Sequence, residues 1–442
     1  MTHCQTQLII PDILRTPVVI DFEGGNITSD TGAVLWRALD DRLDVTSRFS
    51  SCMIDRRDSS KTRHALIDQF RQRVYQICLG YEDANDADKL RSDPAFKIAV
   101  GRHPETDDDL ASQPTITRFE NSVTGREIKR LNRELVNLYL DHRKVPDARI
   151  ILDIDSTDDP THGQQTFSYY HGFYGQHMFH PLLCYDGDTG DLLCATLRPG
   201  NVHAANGVVK TIKRIVMKIR KRWPWVEIVI RADAGFCVPR LYKFCEREGI
   251  GYVIGLITNA TLKKLHKPLL EKAVASYETE RAKVRIFDET GYRAGKWNRF
   301  RRVIMKAEVM DQGTNRRFVV TNLKGAPQDV YDFYVQRGDV ENRIKDLKNA
   351  LKADRLSCHR FDANRFRLML HCAAYVLTHN LRGLLGNTEL ANAQIDTIRL
   401  KLLKVGARIR QTVRRVWIHA ASGYPYQHIW RTLIENMAAA PT

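Results

Sequence analysis

The chain has 442 residues, of which 43% are hydrophobic and 27% charged, so its composition excludes an intrinsically disordered protein. At roughly 100–200 residues per domain, this length predicts two or three domains. No run approaches the roughly 20 apolar residues of a membrane span, and the first ten residues lack the pattern of a secretion signal. Nine cysteines without CxxC spacing predict reduced thiols in a cytoplasmic protein.

The net charge of +16 is distributed unevenly along the chain. Residues 1–150 contain 22 Lys and Arg against 24 Asp and Glu, a balance of −2, whereas residues 151–341 carry +7 and residues 342–442 carry +11. A positive field of this size attracts polyanions, although a solvated basic surface gives the same composition. Charge therefore predicts a nucleic-acid partner without identifying any chemistry.

The first 145 residues are predicted to form a helical domain. Apolar residues at helical spacing predict helices over Ala33–Leu43 and His64–Leu79, and a capping box at Thr124 and Glu127 predicts the start of another. The densest local basic patch is either a DNA contact or a solvated helix face; it contains Arg56, Arg57, Lys61, Arg63, Arg71 and Arg73.

At Pro146 the pattern changes to that of a mixed α/β sheet. Ala148–Asp155 (ARIILDID) and Glu227–Ala232 (EIVIRA) read as buried strands, and the predicted order is strand–strand–strand–helix–strand–helix–strand. Residues 258–325 read as a β-rich insertion. Helix is predicted again over Asp329–Leu351 and in the tail, most clearly over Phe366–Leu381 and Asp396–Ile418.

Aspartates stand at the ends of both core strands. Asp153 and Asp155 share one face of the first strand, and Asp233 directly follows the second. A carboxylate in an apolar strand is unfavourable unless it is paired or binds a cation, and ligand sites favour the carboxyl ends of such strands. Asp155 is favoured as the functional residue of the first strand, and Asp153 remains an open alternative.

A third carboxylate, Glu341, lies on the predicted helix over Asp329–Leu351. Five residues are predicted to occupy one face of that helix, spaced 3, 4, 4 and 3: Tyr334, Arg337, Glu341, Lys345 and Lys348. Surface charge pairing alone would explain this face. Together with Asp155 and Asp233, however, Glu341 completes a set of oxygen ligands suited to Mg²⁺ and to phosphodiester chemistry.

These residues resemble a known family. The spacing Tyr334-x2-Arg337-x3-Glu341-x6-Lys348 is similar to the Tyr-Arg-Glu-Lys signature of one group of DDE insertion-sequence transposases, and ILDIDSTDD and IRADAGF resemble the two aspartate motifs of that group. The stretches THGQQ (161–165), LRPGN (197–201) and LASQPTITRFEN (110–121) resemble one branch of bacterial insertion-sequence transposases.

The resemblance implies an α/β, ribonuclease H-like catalytic domain over 146–257 and 326–352. A β-rich insertion (258–325) would interrupt it, a helical DNA end-binding domain (1–145) would precede it, and a helical basic region (353–442) would follow. Asp155, Asp233 and Glu341 would be the catalytic, metal-binding triad, using two Mg²⁺ or Mn²⁺ ions. Tyr334, Arg337, Lys345 and Lys348 would contact DNA, and Trp297 is a candidate for base stacking, with a core position as its alternative.

The expected activity is cleavage of transposon ends followed by joining of the 3′-OH to target DNA. The expected partners are double-stranded DNA, as terminal inverted repeats and target, and further copies of the chain in a homodimer or larger synaptic complex, with no membrane. The expected location is the bacterial cytoplasm, at the nucleoid. A ribonuclease H-fold nuclease without strand transfer and an inactive DNA-binding regulator are the alternatives.

Overall fold

A computed structural model of the chain describes residues 8–10, 16, 18–146 and 148–439. The strands, numbered in chain order, are β1 (Leu8–Ile10), β2 (Val18–Ile20), β3 (Ile27–Thr28), β4 (Arg149–Ser156), β5 (Asp159–Pro160), β6 (Tyr169–His171), β7 (Gln176–Phe179), β8 (Leu182–Asp186), β9 (Leu192–Thr196), β10 (Glu227–Ala232), β11 (Gly251–Leu256), β12 (Val284–Tyr292), β13 (Arg301–Met310), β14 (Gly313–Thr321), β15 (Ala407–Gln411) and β16 (Val416–Ala420).

The helices, numbered in the same way, are α1 (Ala33–Leu43), α2 (Val45–Ser51), α3 (Leu66–Cys78), α4 (Asp86–Leu90), α5 (Pro94–Val100), α6 (Gln113–Asn121), α7 (Gly125–His142), α8 (Val208–Arg222), α9 (Pro239–Glu248), α10 (Ala260–Glu280), α11 (Pro327–Val335), α12 (Gly338–Lys345), α13 (Phe361–Leu384), α14 (Ile395–Ile398) and α15 (Gln427–Ala439). Turns of π-helix cover Asp346–Ala350 and Arg399–Leu403. Among the described residues, no helix combines the length and apolarity needed to cross a lipid bilayer.

The chain divides into two compact units. The first unit combines the chain up to Thr46 with Asp55–Phe119 and with the chain from Asn380 onward. The second unit comprises Ser47–Ile54 and Glu120–His379. This division differs from the predicted boundary at residue 145, because α7 belongs to the second unit and the C-terminal segment belongs to the first.

The second unit is built on an eight-stranded sheet of order β12-β13-β14-β11-β10-β4-β8-β9. Strands β4, β10 and β11 are parallel, and β8 and β9 continue the sheet beyond β4 as an antiparallel pair. One face of β4 carries Ile150, Leu152 and Ile154, which pack with α8, α9 and α10 in the main hydrophobic core. The alternation of a strand therefore directs Asp153 and Asp155 to the opposite face.

The predicted insertion joins this sheet. Its three strands, β12 to β14, were predicted in part, and β14 pairs with β11 so that they extend the main sheet instead of forming a body of their own. The insertion also begins with α10, a 21-residue helix that the sequence analysis missed. Asn259 caps this helix by accepting a hydrogen bond from the Leu262 amide at 3.0 Å, and the helix contains Pro268 in its interior.

In the first unit, the two ends of the chain form one structure. The predicted helix over Ala33–Leu43 is confirmed, and α3 lies within the range predicted for the next helix. The prediction of helix over Asp396–Ile418 was wrong in its second half, because β15 and β16 form a hairpin there and β15 pairs with β3. The C-terminal region is therefore not wholly helical.

Candidate active site

The two strands that carry aspartates lie side by side. In the parallel pairing of β4 with β10, Asp153 is opposite Arg231 and Ile154 is opposite Ala232. One residue further along, where both strands end, this register brings Asp155 next to Asp233. The two aspartates predicted from separate motifs therefore meet at one edge of the sheet.

Asp155 is a buried carboxylate with few compensating partners. It is 8% exposed, and its Oδ1 accepts a hydrogen bond from the Ser156 amide at 2.8 Å. Its Oδ2 accepts one from Arg337 Nη1 at 3.2 Å. Burial, followed by the negative charge of Asp233, raises the pKa of Asp155 to about 7.

Asp233 begins a 3₁₀ turn over Ala234–Phe236, and its Oδ1 accepts a hydrogen bond from the Gly235 amide at 3.0 Å. Burial also raises the pKa of Asp233, and Arg337 opposes that effect. The neighbouring strand β11 presents Gly255 to this turn. A Cβ at that position would approach the hydroxyl of Tyr334 to 2.7 Å and the amide of Ala234 to 3.0 Å, so the close packing here depends on glycine.

The segment that carries the Tyr-Arg-Glu-Lys residues is not one regular helix. Helix α11 ends at Val335, α12 begins at Gly338, and the next turn is π-helical. The prediction of a continuous helix over Asp329–Leu351 was therefore wrong, and so was the single face calculated from its regular spacing. π-Turns interrupt helices most often at functional sites.

Arg337 lies at the break between the two helices and joins two of the carboxylates. Its Nη1 donates to Asp155 as described, and its Nη2 donates to Glu341 Oε1 at 2.9 Å. The side chain of Glu341 is half exposed, with its carboxylate toward this guanidinium. Tyr334 is partly buried beside the same group, and burial raises its pKa.

The two lysines of the signature segment differ in their surroundings. Lys348, on the π-helical turn, pairs with Asp158 Oδ1 at 2.7 Å and donates to Thr157 Oγ1 at 3.2 Å. This contact ties the end of the segment to the loop that follows β4. Lys345 is exposed on α12.

The role of Asp153 is clear from its contacts. Arg231 Nε donates to its Oδ1 at 2.7 Å and Arg231 Nη2 to its Oδ2 at 2.8 Å, and both side chains are completely buried. Arg231 Nη1 also donates to the Phe333 carbonyl at 3.0 Å. Asp153 is thus occupied by an arginine that attaches α11 to the sheet, and it is not a free ligand like its neighbour two residues on.

Trp297 lies in the core. Its ring is 6% exposed, with the Tyr242 and Tyr292 rings at centroid distances of 5.3 and 5.6 Å and the Arg301 guanidinium 5.3 Å from its centroid. A ring enclosed in this way is not accessible to a nucleobase. We therefore do not retain Trp297 as a DNA-stacking residue; its alternative, a core position, describes its surroundings.

The predicted basic patch over residues 56–73 is largely compensated by acidic neighbours. Arg57 pairs with Asp55 at 2.6 Å, and Arg63 pairs with Asp108 at 3.1 Å. Arg73 is completely buried. The patch therefore presents less positive charge than its sequence suggests.

The donor set fits a hard divalent cation. Asp155, Asp233 and Glu341 supply carboxylate oxygens only, and Asp155 is a buried carboxylate beside a second one, an arrangement that a cation stabilises. In the conformation described, the guanidinium of Arg337 lies between Asp155 and Glu341 and offsets their charge. Within the described part of the chain, no group of three or more His, Cys, Asp or Glu side chains is already placed to hold a metal ion.

Two residues near the site were missed in the sequence. Asp158, the partner of Lys348, lies in the ILDIDSTDD motif and had no assigned role. Arg231 had a signal, because Asp153 and Arg231 each precede a candidate active-site aspartate by two residues, and parallel strands place such positions opposite each other. A charged residue inside an apolar strand thus predicts a buried ion pair when the neighbouring strand carries a residue of opposite charge at the same position.

A mixed α/β fold with a large mixed sheet is consistent with a transposase of the DDE type. The chain belongs to the family described as Transposase DDE domain group 1, whose model matches residues 11–442. None of the curated proteins compared with the chain matches it significantly. Transposases of this family act in DNA transposition and recombination, and they generally depend on divalent metal ions.

Proposed function

We propose that this protein cleaves the ends of its own insertion sequence by hydrolysing a phosphodiester bond and then joins the freed 3′-OH to target DNA. The observation that carries the proposal is the meeting of Asp155 and Asp233 at the ends of β4 and β10, with Glu341 tied to Asp155 through Arg337. Three carboxylates from distant parts of the sequence converge on one edge of a sheet, which a purely structural role would not require.

We further propose that the catalytic fold is ribonuclease H-like. The proposal is supported by the sheet order β9-β8-β4-β10-β11, in which the first three strands are antiparallel and the last two run parallel to β4. Helices α11 and α12 then return the third carboxylate to the strand ends. This arrangement is also consistent with membership of the Tyr-Arg-Glu-Lys signature group.

In this proposal, Asp155, Asp233 and Glu341 would hold Mg²⁺ or Mn²⁺ as two ions. Such ions activate a water or hydroxyl nucleophile and stabilise the leaving oxygen of a phosphodiester. Arg337 keeps Asp155 and Glu341 within reach of each other and compensates their charge. Tyr334, Arg337, Lys345 and Lys348 would contact the DNA backbone close to the cleaved bond.

A second basic region supports DNA binding by the same unit. A groove of about 270 Å³ between α7, α8 and β9 is lined by four cationic side chains: Lys129, Lys210, Arg214 and Arg365. The remaining lining residues are uncharged. Such a groove offers phosphate contacts without sequence preference.

The experiment is to incubate the purified protein and Mg²⁺ with DNA carrying the sequences that flank its gene, and to map the cut and joined strands. Cuts at terminal inverted repeats followed by joining to a second DNA support the proposal. Cutting without joining would favour the nuclease alternative, and specific binding without cutting would favour the regulator.

We expect the active form to be a homodimer or larger complex that holds two DNA ends, located at the bacterial nucleoid.

A further inference from the structure

An aromatic hairpin projects beside the proposed active site. It comprises β6, β7 and the turn between them, residues 169–179, and its aromatic side chains are unusually exposed. Phe173, in the turn, is 86% exposed, Tyr170 is 58% exposed and Tyr169 is 42% exposed. Burial of a phenylalanine usually stabilises a fold, so a nearly fully exposed one at a hairpin tip contributes little to this fold.

The base of the aromatic hairpin is firmly held. Met178 and Phe179 are buried, and the Phe179 ring packs on Phe361 with centroids 5.4 Å apart. The LRPGN segment lies directly beneath, because a Cβ at Gly200 would collide with the carbonyl oxygens of Met178 and Tyr169. The exposed rings therefore extend from a fixed support.

Hydrogen bonds connect the aromatic hairpin to the signature segment. Gln176 Nε2 donates to Asp158 Oδ2 at 3.0 Å, and Asp158 Oδ1 accepts from Lys348 Nζ at 2.7 Å. Tyr174, next to Phe173 in the turn, is close enough to the carboxylates of Asp158, Asp155 and Asp233 to be affected by their charges. Burial, and then the charges of Asp158, Asp155 and Asp233, raise the pKa of Tyr174 to about 12.

From this geometry we infer that the aromatic hairpin binds unpaired nucleotides beside the cleavage site by stacking bases on Phe173 and Tyr170. The inference rests on the proposed function, since it is the position of the carboxylates that brings a DNA strand to this point. Lys348, at the foot of the hairpin, is paired with Asp158, so recognition relies on the rings. Exposed flat rings bind bases of any sequence. The occupant is thus a single-stranded segment of DNA, not a duplex.

The test compares two DNA probes in EDTA, so that no cleavage is needed. One probe is a 20-base-pair duplex of arbitrary sequence, and the other is the same duplex with six unpaired nucleotides that include 2-aminopurine. The ratio of their dissociation constants and the quenching of 2-aminopurine report stacking. We expect Phe173→Ala with Tyr170→Ala to reduce the preference for the unpaired probe by roughly fivefold to a hundredfold.

Further variants separate stacking from simple apolarity. Phe173→Trp should retain the preference and Phe173→Leu should lower it, because only the former keeps a flat ring at this position. Trp225→Ala is the matched control, since Trp225 is also exposed but lies just before the start of β10, at the end opposite Asp233. Circular dichroism checks that each variant folds.

An unchanged preference in the double variant, or wild-type behaviour of Phe173→Leu, overturns the inference. A change in oligomeric state by light scattering with no change in DNA preference overturns it as well, in favour of a contact between copies of the chain. Cleavage of gene-flanking DNA is measured separately with Mg²⁺. If the wild-type protein cleaves this DNA but the double variant keeps its preference for the unpaired probe, the proposed function stands and the stacking inference fails. If the double variant loses the preference but the wild-type protein does not cleave, the stacking inference stands and the proposed function fails.

Discussion

Replacing Asp155 with asparagine should stabilise the metal-free protein while removing its activity. The carboxylate is nearly isosteric with the amide, so the packing is preserved. Folding raises the pKa of Asp155 from 3.8 to about 7, which means that the folded state favours the protonated form. The contribution of this group to stability is therefore complete below pH 4 and is lost as the pH rises through 7.

The size of the effect follows from the pKa shift. Each unit corresponds to about 1.4 kcal/mol, so a side chain that is neutral at every pH avoids a loss of about 4 kcal/mol at pH 8. At pH 5 the same calculation gives less than about 2 kcal/mol. Asp155 is 8% exposed, and solvent screening therefore reduces this value little.

The measurement is unfolding by guanidinium chloride in EDTA at pH 8 and pH 5, followed by tryptophan fluorescence. Asp155→Asn should raise the free energy of unfolding at pH 8, and the gain should shrink at pH 5. Asp188→Asn is the control, because Asp188 is exposed in the turn between β8 and β9. Equal or lower stability of Asp155→Asn at pH 8 would refute the assignment of Asp155 as a carboxylate whose ionised form is destabilised by burial.

Three other predictions concern the same unit. Arg231→Met should lower the stability of this unit by roughly 3–5 kcal/mol in the unfolding assay, because Asp153 is left buried without a partner. Adding Asp153→Leu should restore most of the loss. A stability of Arg231→Met within about 1 kcal/mol of wild type would contradict this prediction. Lys210→Glu with Arg214→Glu should lower the slope of log Kd for duplex DNA against log salt by about 2, whereas an unaltered slope would exclude the groove as a phosphate contact. Binding of Mn²⁺, measured by calorimetry, should weaken about tenfold for each pH unit below 7 because the ion requires ionised Asp155, and a pH-independent affinity would argue against that ligand.

Local signals predicted the parts of the fold that depend on neighbours in the sequence. The capping box at Thr124 and Glu127 is present at the start of α7, with both reciprocal hydrogen bonds. Helix α9 occupies the place of the second helix in the predicted strand–helix order, and Pro239 at its start and Gly249 after its end are strong local signals. The two aspartate motifs were likewise found from apolar strands that end in acidic residues.

Features that depend on distant partners were not predictable. The burial of Trp297 is determined by Tyr242 and Arg301, which come from another helix and strand. In β15, Ala407 and Ile409 are buried and Arg408 is exposed, and this short alternation was read as part of a helix because apolar residues at helical spacing precede it. The break at Arg337 was not predicted either, although Gly338 follows it directly; Arg337 forms ion pairs there with Asp155 and Glu341.

The position of the aromatic hairpin also escaped the sequence. Aromatic residues favour strands by propensity, and Tyr169–His171 indeed form β6. Their exposure could not be read from the pattern, since aromatic strands are usually buried. The pairing of β7 with β5, directly after Asp158, and the hydrogen bond between Gln176 and Asp158 bring this segment to the carboxylates.

The central claim is that Asp155, Asp233 and Glu341 act together in metal-dependent strand cleavage. The most direct measurement is cleavage of gene-flanking DNA in Mg²⁺ by the three single alanine variants, with DNA binding measured in parallel. Asp339→Ala is the control, because Asp339 is exposed on the same helix as Glu341. We predict that each triad variant binds DNA but does not cleave it and that the control cleaves normally; normal cleavage by any triad variant would contradict the account.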